Sequence, residues 1–167
     1  GGRAKTLHPK LLGGILSRLP DQVDEMTENG IEAIDLVAVN FYPFKETIVR
    51  PGVTPAEAVE QIDIGGPTMV RSSAKNHGRL TVLVDPRDYP KAIDYIFRGE
   101  DIPAEFRRSL ARKAFAYVSA YDAVICDYLA SLEDDNGADK ELFPESLPLN
   151  LERIQVLRYG ENPHQKA

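Results

Sequence analysis

The apolar and polar positions along the chain alternate short, dense hydrophobic runs with amphipathic ones. Gly1 to Gly14 reads as loop, with a turn or the start of a helix around Lys10 to Arg18. Pro20 to Asn29 is polar and acidic, carries Val23 and Met26 on one side, and stops at Gly30, which predicts a short amphipathic helix. Ile31 to Val39 is apolar, and its dense part, Leu36 to Val39, suits a buried strand of a parallel sheet. In Asn40-Phe-Tyr-Pro-Phe44, Pro43 prevents a simple continuation of that strand. Lys45 to Gly52 reads as a connection. Thr54-Pro-Ala-Glu57 has a capping Thr, a Pro at the first helical position and a Glu that closes a capping box, so a helix runs from there to Gln61. Another helix is predicted from Pro67 to His77, followed by a β-branched strand over Arg79 to Val84 that Asp85-Pro86 closes.

Asp88 to Phe97 is amphipathic and ends at Gly99. Pro103 to Leu129 is a long helical pattern, with apolar positions at Phe106, Leu110, Phe115 or Ala114, Val118, Tyr121, Ile125 and Leu129. Its length predicts two helices, or one broken near Ser119 to Tyr121. Ser131 to Asn150 is acidic and rich in Gly and Pro, a surface linker. Strands that alternate with helices predict an α/β layer fold with a parallel sheet. Two clear strands are too few for such a sheet. The chain also opens Gly-Gly-Arg, inside a charged motif and without an initiator Met. The expectation is an excised segment whose first strands lie before Gly1.

Composition narrows the function. A chain of 167 residues, 43% hydrophobic and 28% charged, is one ordinary globular domain in size and balance. A formal charge of -6 argues against a nucleic-acid binder, although Arg3, Lys5, His8 and Lys10 make one basic corner that suits a small anionic ligand. The single cysteine, Cys126, excludes an internal disulfide and falls in an apolar helical run, as a small core residue would. His8, His77 and His164 are too scattered for a metal-ligand spacing, so no metal is expected. No run is long enough to span a bilayer and no signal peptide opens the chain, so a cytoplasmic protein without membrane contact is expected.

The stretch from Asp63 to His77 carries the densest chemistry. Gly65-Gly66 lets backbone approach a ligand closely. Asp63 precedes a helix start, where unpaired amides favour an anion, and Arg71 and Lys75 lie one turn apart on one face. Two readings stand from these residues alone: a cradle for a polar or anionic small molecule, and a tight strand-to-helix connection with a solvated basic face.

Five motifs taken together go further: Gly2-Arg-Ala-Lys-Thr-Leu-His-Pro9, Asn40-Phe-Tyr-Pro-Phe44, Asp63-Ile-Gly-Gly-Pro-Thr68 through Ala74-Lys-Asn-His77, Lys113-Ala-Phe115 with Ala120-Tyr-Asp122, and Leu157-Arg-Tyr-Gly-Glu-Asn-Pro-His-Gln165. In order and spacing they resemble the bifunctional purine-biosynthesis family that joins an aminoimidazolecarboxamide ribotide (AICAR) transformylase to an inosine monophosphate (IMP) cyclohydrolase. The resemblance covers nearly the whole chain. It implies a methylglyoxal-synthase-like fold, a parallel sheet with helices on both faces, here without its N-terminal strands. Residues 1–150, with an acidic linker over 131–150, would be the cyclohydrolase domain, and 151–167 the start of the transformylase domain. The family's Ser-Asp-Lys and Gly-Gly-Thr turns, which hold much of the nucleotide phosphate, have no counterpart after Gly1.

The resemblance also implies a reaction and a site. The cyclohydrolase closes the second purine ring of formyl-AICAR to give IMP and water, with no metal or organic cofactor. Its catalytic positions fall on Lys5, Tyr42, Asp63 and Lys75, and its substrate contacts on Arg3, Thr6, Asn40, Ile64, Gly65 and Gly66. Arg158 and Tyr159 fall in the AICAR site of the transformylase, whose co-substrate is 10-formyltetrahydrofolate; His164 is not that domain's catalytic histidine, and this chain is expected to lack transformylase activity. Ring closure needs proton movement and stabilisation of an oxyanion. An Asp63–Lys75 pair is expected to shuttle the carboxamide proton, while Lys5 and Tyr42 donate to the formyl oxygen. The family is homodimeric, with a small purine nucleotide as substrate. The competing reading is a non-catalytic module of the same fold that binds a phosphorylated ligand, which would need phosphate contacts but no acid–amine pair.

Overall fold

A computed structural model describes residues 6–133, 151 and 153–158. The chain divides into two compact units, Gly1–Glu133 and Asp134–Ala167. In the second, the described residues are exposed and lack regular secondary structure. The first runs α1 (Pro9–Leu16), α2 (Val23–Glu28), β1 (Leu36–Ala38), α3 (Phe44–Ile48), α4 (Pro55–Val59), α5 (Gly65–Lys75), β2 (Thr81–Leu83), a 3-10 turn at Pro86–Asp88, α6 (Tyr89–Phe97) and α7 (Ala104–Glu133).

The two strands pair in parallel, with Leu36 opposite Thr81, Val37 opposite Val82 and Ala38 opposite Leu83. Every residue of β2 is buried. Because strand side chains alternate between faces, Val82 and Val84 pack with Ile15, Val37, Val70, Ala74, Ala111, Ala114 and Val118, whereas Leu83 packs with Ala92, Ile102 and Leu110. Helices α1, α5 and α7 therefore supply one core cluster and α6, with the start of α7, the other. A strand covered on both faces reads as an unbroken apolar run, which is how it appears in the sequence.

Several local expectations need correcting. The connection after Pro43 contains α3, which buries Phe44 and Thr47. Helix α5 begins at Gly65, two residues before Pro67. A proline costs nothing in this first turn, since the leading amides of a helix have no intrahelical partner in any case. The 30 residues of α7 are one continuous helix, and they contain neither Gly nor Pro to break it. Its buried stripe uses Leu110, Ala114 and Val118, which leaves Phe115, Leu129 and Cys126 exposed. Cys126 lies on the solvent face with Arg112, Ser119 and Asp122 and is not a core residue. The capping box at Thr54 is formed: the Thr54 N–H donates to Glu57 Oε2 at 2.8 Å, and the Glu57 N–H donates to Thr54 Oγ1 at 3.3 Å. The Thr54 N–H, together with the Thr54 hydroxyl donating to Oε2 at 2.7 Å, holds the Glu57 carboxyl below its usual range.

A polar junction locks the C-terminal end of α5. The Asn76 amide donates to the carbonyls of Ile15 and Ser17 at 2.7 and 3.0 Å. Arg79 donates to the Gly14 carbonyl at 2.8 Å and pairs with Asp35 at 2.7 Å. Arg107 of α7 donates to the carbonyls of His77 and Gly78 at 3.0 and 2.7 Å. The loose carbonyls at the ends of α1 and α5 thus find donors within the chain, as buried helix ends require.

A second junction follows β2. Lys113 of α7 reaches Asp85 and Asp88, both at 2.7 Å. Bonds from the Arg87 and Lys113 side chains hold the Asp85 carboxyl well below the usual carboxylate range. Desolvation pulls the Lys113 ammonium down, but its bonds to the two carboxylates outweigh it, and the net shift is upward.

Two outcomes follow from these junctions. Asn76→Ala takes its donor from the Ser17 carbonyl and leaves the Ile15 carbonyl only a long bond from Arg79, and should lower unfolding stability by about 1–3 kcal/mol in urea titrations. Asp85, with its folded pKa depressed, contributes stability that is complete above its unfolded value, roughly 3.9, and is lost as the pH falls below it. Stability measured between pH 6 and pH 3 should therefore decline less steeply in Asp85→Asn than in the wild type.

Candidate functional site

Parallel strands place ligands at their carboxyl ends, where the following loops converge. Beyond the end of β1 lies a cavity of about 330 Å³, lined by Thr6, Leu7, Val39, Asn40, Tyr42, Ile62, Asp63, Ile64, Gly65, Gly66 and Met69. Three segments meet there: the approach to α1, the loop from β1 to α3, and the turn from α4 into α5. The loop alternates its side chains. Phe41 and Phe44 turn inward to α7, where Phe41 lies 4.5 Å from the ring of Tyr117 and 4.9 Å from that of Tyr121, and Phe44 lies 5.5 Å from that of Tyr128. Asn40 and Tyr42, on either side of Phe41, line the cavity.

The start of α5 is built on close approach. The Gly66 N–H donates to Asp63 Oδ1 at 2.8 Å, so the carboxylate occupies one of the helix's unpaired amides. A Cβ on Gly66 would stand 2.5 Å from Asp63 Oδ2 and 2.9 Å from Phe41 Cδ1, and one on Gly65 would strike Thr6 Oγ1. Both glycines are needed for room. Behind them, the Tyr121 hydroxyl accepts the Asp63 N–H at 2.8 Å and donates to the Gln61 carbonyl at 3.3 Å. Burial pushes the pKa of this phenol up, although the bond from the Asp63 amide works against the shift. It stays protonated at neutral pH and serves as acceptor and donor at once.

The structure thus brings Thr6, Asn40, Tyr42, Asp63, Ile64, Gly65 and Gly66 to one cavity. It does not bring Lys75. That residue ends α5, ten residues beyond Gly65, and the helical rise puts its backbone roughly 15 Å away along the axis. Its side chain is exposed and is not part of the cavity lining. The expected Asp63–Lys75 pair is therefore corrected: one helix cannot fold both of its ends onto a single point. Arg3, Lys5 and Tyr159 lie outside the described residues, and Arg158 is exposed within the second unit. Among the described residues, no group of three His, Cys, Asp or Glu side chains is placed to hold a metal, and no helix is long and apolar enough to cross a membrane.

The sequence reading missed the apolar lining from Leu7, Val39, Ile62 and Met69, and the bracing by Tyr121. The tyrosines did leave a signal. Tyr117, Tyr121 and Tyr128 share one side of a helix, and a half-buried tyrosine hydroxyl generally has a polar partner.

Comparison with known proteins places this geometry. The family model for the AICARFT/IMPCHase bienzyme matches residues 73–167, and that for the MGS-like domain matches residues 3–68. The chain belongs to the AICARFT/IMPCHase bienzyme family. Its fold is accordingly the α/β arrangement of an MGS-like domain. It is 50% identical over 169 residues to the bifunctional purine biosynthesis protein PurH of Sorangium cellulosum (strain So ce56), covering 99% of this chain and 32% of that protein. It is 49% identical over 168 residues to PurH of Bacillus cereus (strain B4264), with the same coverage. To PurH of Leuconostoc citreum (strain KM20) it is 50% identical over 168 residues, covering 99% of this chain and 31% of that protein. The chain therefore spans about a third of the length of the curated relatives it matches. Among solved structures, the crystal structure of ForH aligns with a TM-score of 0.68 at 40% identity, covering 78% of this chain and 68% of that one.

The close packing at the helix start can be tested directly. Gly66→Ala should lower unfolding stability by about 1–3 kcal/mol. An undiminished unfolding midpoint in urea would show that Asp63 and Phe41 yield freely to the added methyl.

Proposed function

We propose that the cavity between the end of β1 and the start of α5 is part of an IMP cyclohydrolase site, which closes formyl-AICAR to IMP in purine biosynthesis. The observation that carries this reading is the convergence of Thr6, Asn40, Tyr42 and Asp63 to Gly66 from three separate segments onto one lining. A volume near 330 Å³ with one apolar side and a few convergent polar groups suits a small heterocycle.

The reaction joins the carboxamide nitrogen of the substrate to its own formyl carbon. As the N–C bond forms, the formyl carbonyl becomes an oxyanion and the nitrogen loses a proton. The resulting carbinolamine then expels its hydroxyl as water, leaving the C=N bond of the new ring. Holding the two reacting groups in the facing rotamer removes much of the entropic barrier. Asp63 takes the proton, its carboxylate held through Oδ1 by the Gly66 amide. Tyr42 donates to the developing oxyanion, and Thr6 and Asn40 orient the ring. Lys5 and Arg3 join from the segment that leads into Thr6, by the sequence resemblance. Lys75 keeps its catalytic assignment only on that resemblance, since its own chain's cavity is a helix length away. No metal or organic cofactor takes part in this closure.

The larger protein is assigned by the same route. Residues 1–150 form the cyclohydrolase domain and 151–167 open a transformylase domain, in which Arg158 and Tyr159 contribute to the AICAR site and 10-formyltetrahydrofolate is co-substrate. The assembly is a cytoplasmic homodimer. The PurH relatives, bifunctional by name, support the pairing of two activities in the larger protein.

The test is turnover of formyl-AICAR to IMP, followed without added folate, in a chain carrying these residues at the length of the curated relatives. Asp63→Asn and Tyr42→Phe should each lower kcat by roughly 10²–10³. Wild-type rates in both would sink the assignment.

A further inference from the structure

We propose that Tyr121 is a positioning residue for Asp63, which makes the middle of α7 part of the catalytic apparatus without touching substrate. The inference rests on the reading of Asp63 as the proton-accepting group. The Tyr121 hydroxyl grips the α4–α5 turn twice, accepting the Asp63 N–H at 2.8 Å and donating to the Gln61 carbonyl at 3.3 Å. Its ring meets Phe41 edge-on at 4.9 Å and Phe44 at 6.3 Å. One side chain therefore ties together two of the three segments that line the cavity.

Position matters more for Asp63 than for its neighbours. Its carboxylate is held at one oxygen by the Gly66 amide, and its backbone is held by Tyr121. Without the hydroxyl, the half-buried Asp63 N–H and Gln61 carbonyl lose a partner, and the turn keeps only its local bonds, among them Ile62 N–H to the Val59 carbonyl at 3.0 Å and Gly66 N–H to Asp63 Oδ1 at 2.8 Å. A displacement of an ångström at a reacting group is enough to cost one or two orders of magnitude in rate. Tyr117 supplies a built-in control. It stacks on the same Phe41 at 4.5 Å, and its hydroxyl accepts the Phe41 N–H at a long 3.5 Å, but it has no bond to the Asp63 turn.

The experiment compares Tyr121→Phe, Tyr117→Phe, Asp63→Asn and the Tyr121→Phe/Asp63→Asn double variant, in a chain at the length of the curated relatives. Formyl-AICAR is the substrate, and thermal unfolding is measured alongside. Tyr121→Phe should lower kcat about tenfold with KM within about twofold of wild type, while Tyr117→Phe leaves both within twofold. The double variant should be no slower than Asp63→Asn alone, since an amide that cannot take the proton gains nothing from being held. Losses that multiply in the double variant, or an equal fall in Tyr117→Phe, would mean general loosening and would overturn the proposal. Wild-type kcat in Tyr121→Phe beside a slow Asp63→Asn would overturn Tyr121 alone. Wild-type kcat in Asp63→Asn would remove the carboxylate's role and the positioning role together.

Discussion

Residue 66 has no side chain, and the functional edge of the first unit depends on that vacancy. The Asp63 carboxylate lies across the start of α5, with Oδ1 2.8 Å from the Gly66 amide, and any Cβ there would collide with Oδ2 and with Phe41. The same reasoning applies one residue earlier, where Thr6 fills the space above Gly65. Three segments far apart in sequence can thus touch one helix start. A bulkier pair would push them apart.

Helix α5 is held at both ends, by different means. At its start the contacts are close packing and one carboxylate–amide bond. At its end they are side-chain donors to loose carbonyls, with Asn76 and Arg79 reaching α1 and Arg107 arriving from α7. This division explains why one motif-dense stretch has two jobs. Asp63 to Gly66 shapes the cavity, while Asn76 to Arg79 fastens α5 to α1, the helix that Thr6 leads into. The sequence shows both sets of residues as one run of polar chemistry. The length of the helix separates them.

Much of the architecture was legible because its signals are local. The capping box at Thr54, the glycine stops at Gly30 and Gly99, and the apolar runs that become β1 and β2 each follow from a few adjacent residues. The failures share a different cause. Helix α3 exists because Phe44 is buried against α7, a contact that no window of sequence contains. The unbroken course of α7, and the exposure of Cys126, depend on which stripe of that helix meets β2 and the loop after β1. For the candidate site, the residues near Thr6, Asn40, Tyr42 and Asp63 were legible as motifs. Lys75 shares the motif but not this cavity, because motif spacing carries no direction: ten residues of helix lead away from the cavity as readily as a loop leads back to it.

A pair of three-residue strands is a slight foundation for a site whose groups must hold their geometry. The parallel ladder does little more than fix where β1 ends, with the Val39 N–H bonded to the Leu83 carbonyl at 3.0 Å. Beyond that point the chain leaves the sheet, and precision has to come from side chains that bond to backbone. Tyr121 takes the Asp63 amide and gives to the Gln61 carbonyl, and Asp63 takes the Gly66 amide. Each bond satisfies a polar group that half-burial would otherwise leave costly, so the loops are held where they are for reasons of stability alone. The Asp63 carboxylate then inherits that order. Placement of the cavity's polar groups is a by-product of satisfying the backbone, and α7 supplies the partner that holds the Asp63 turn.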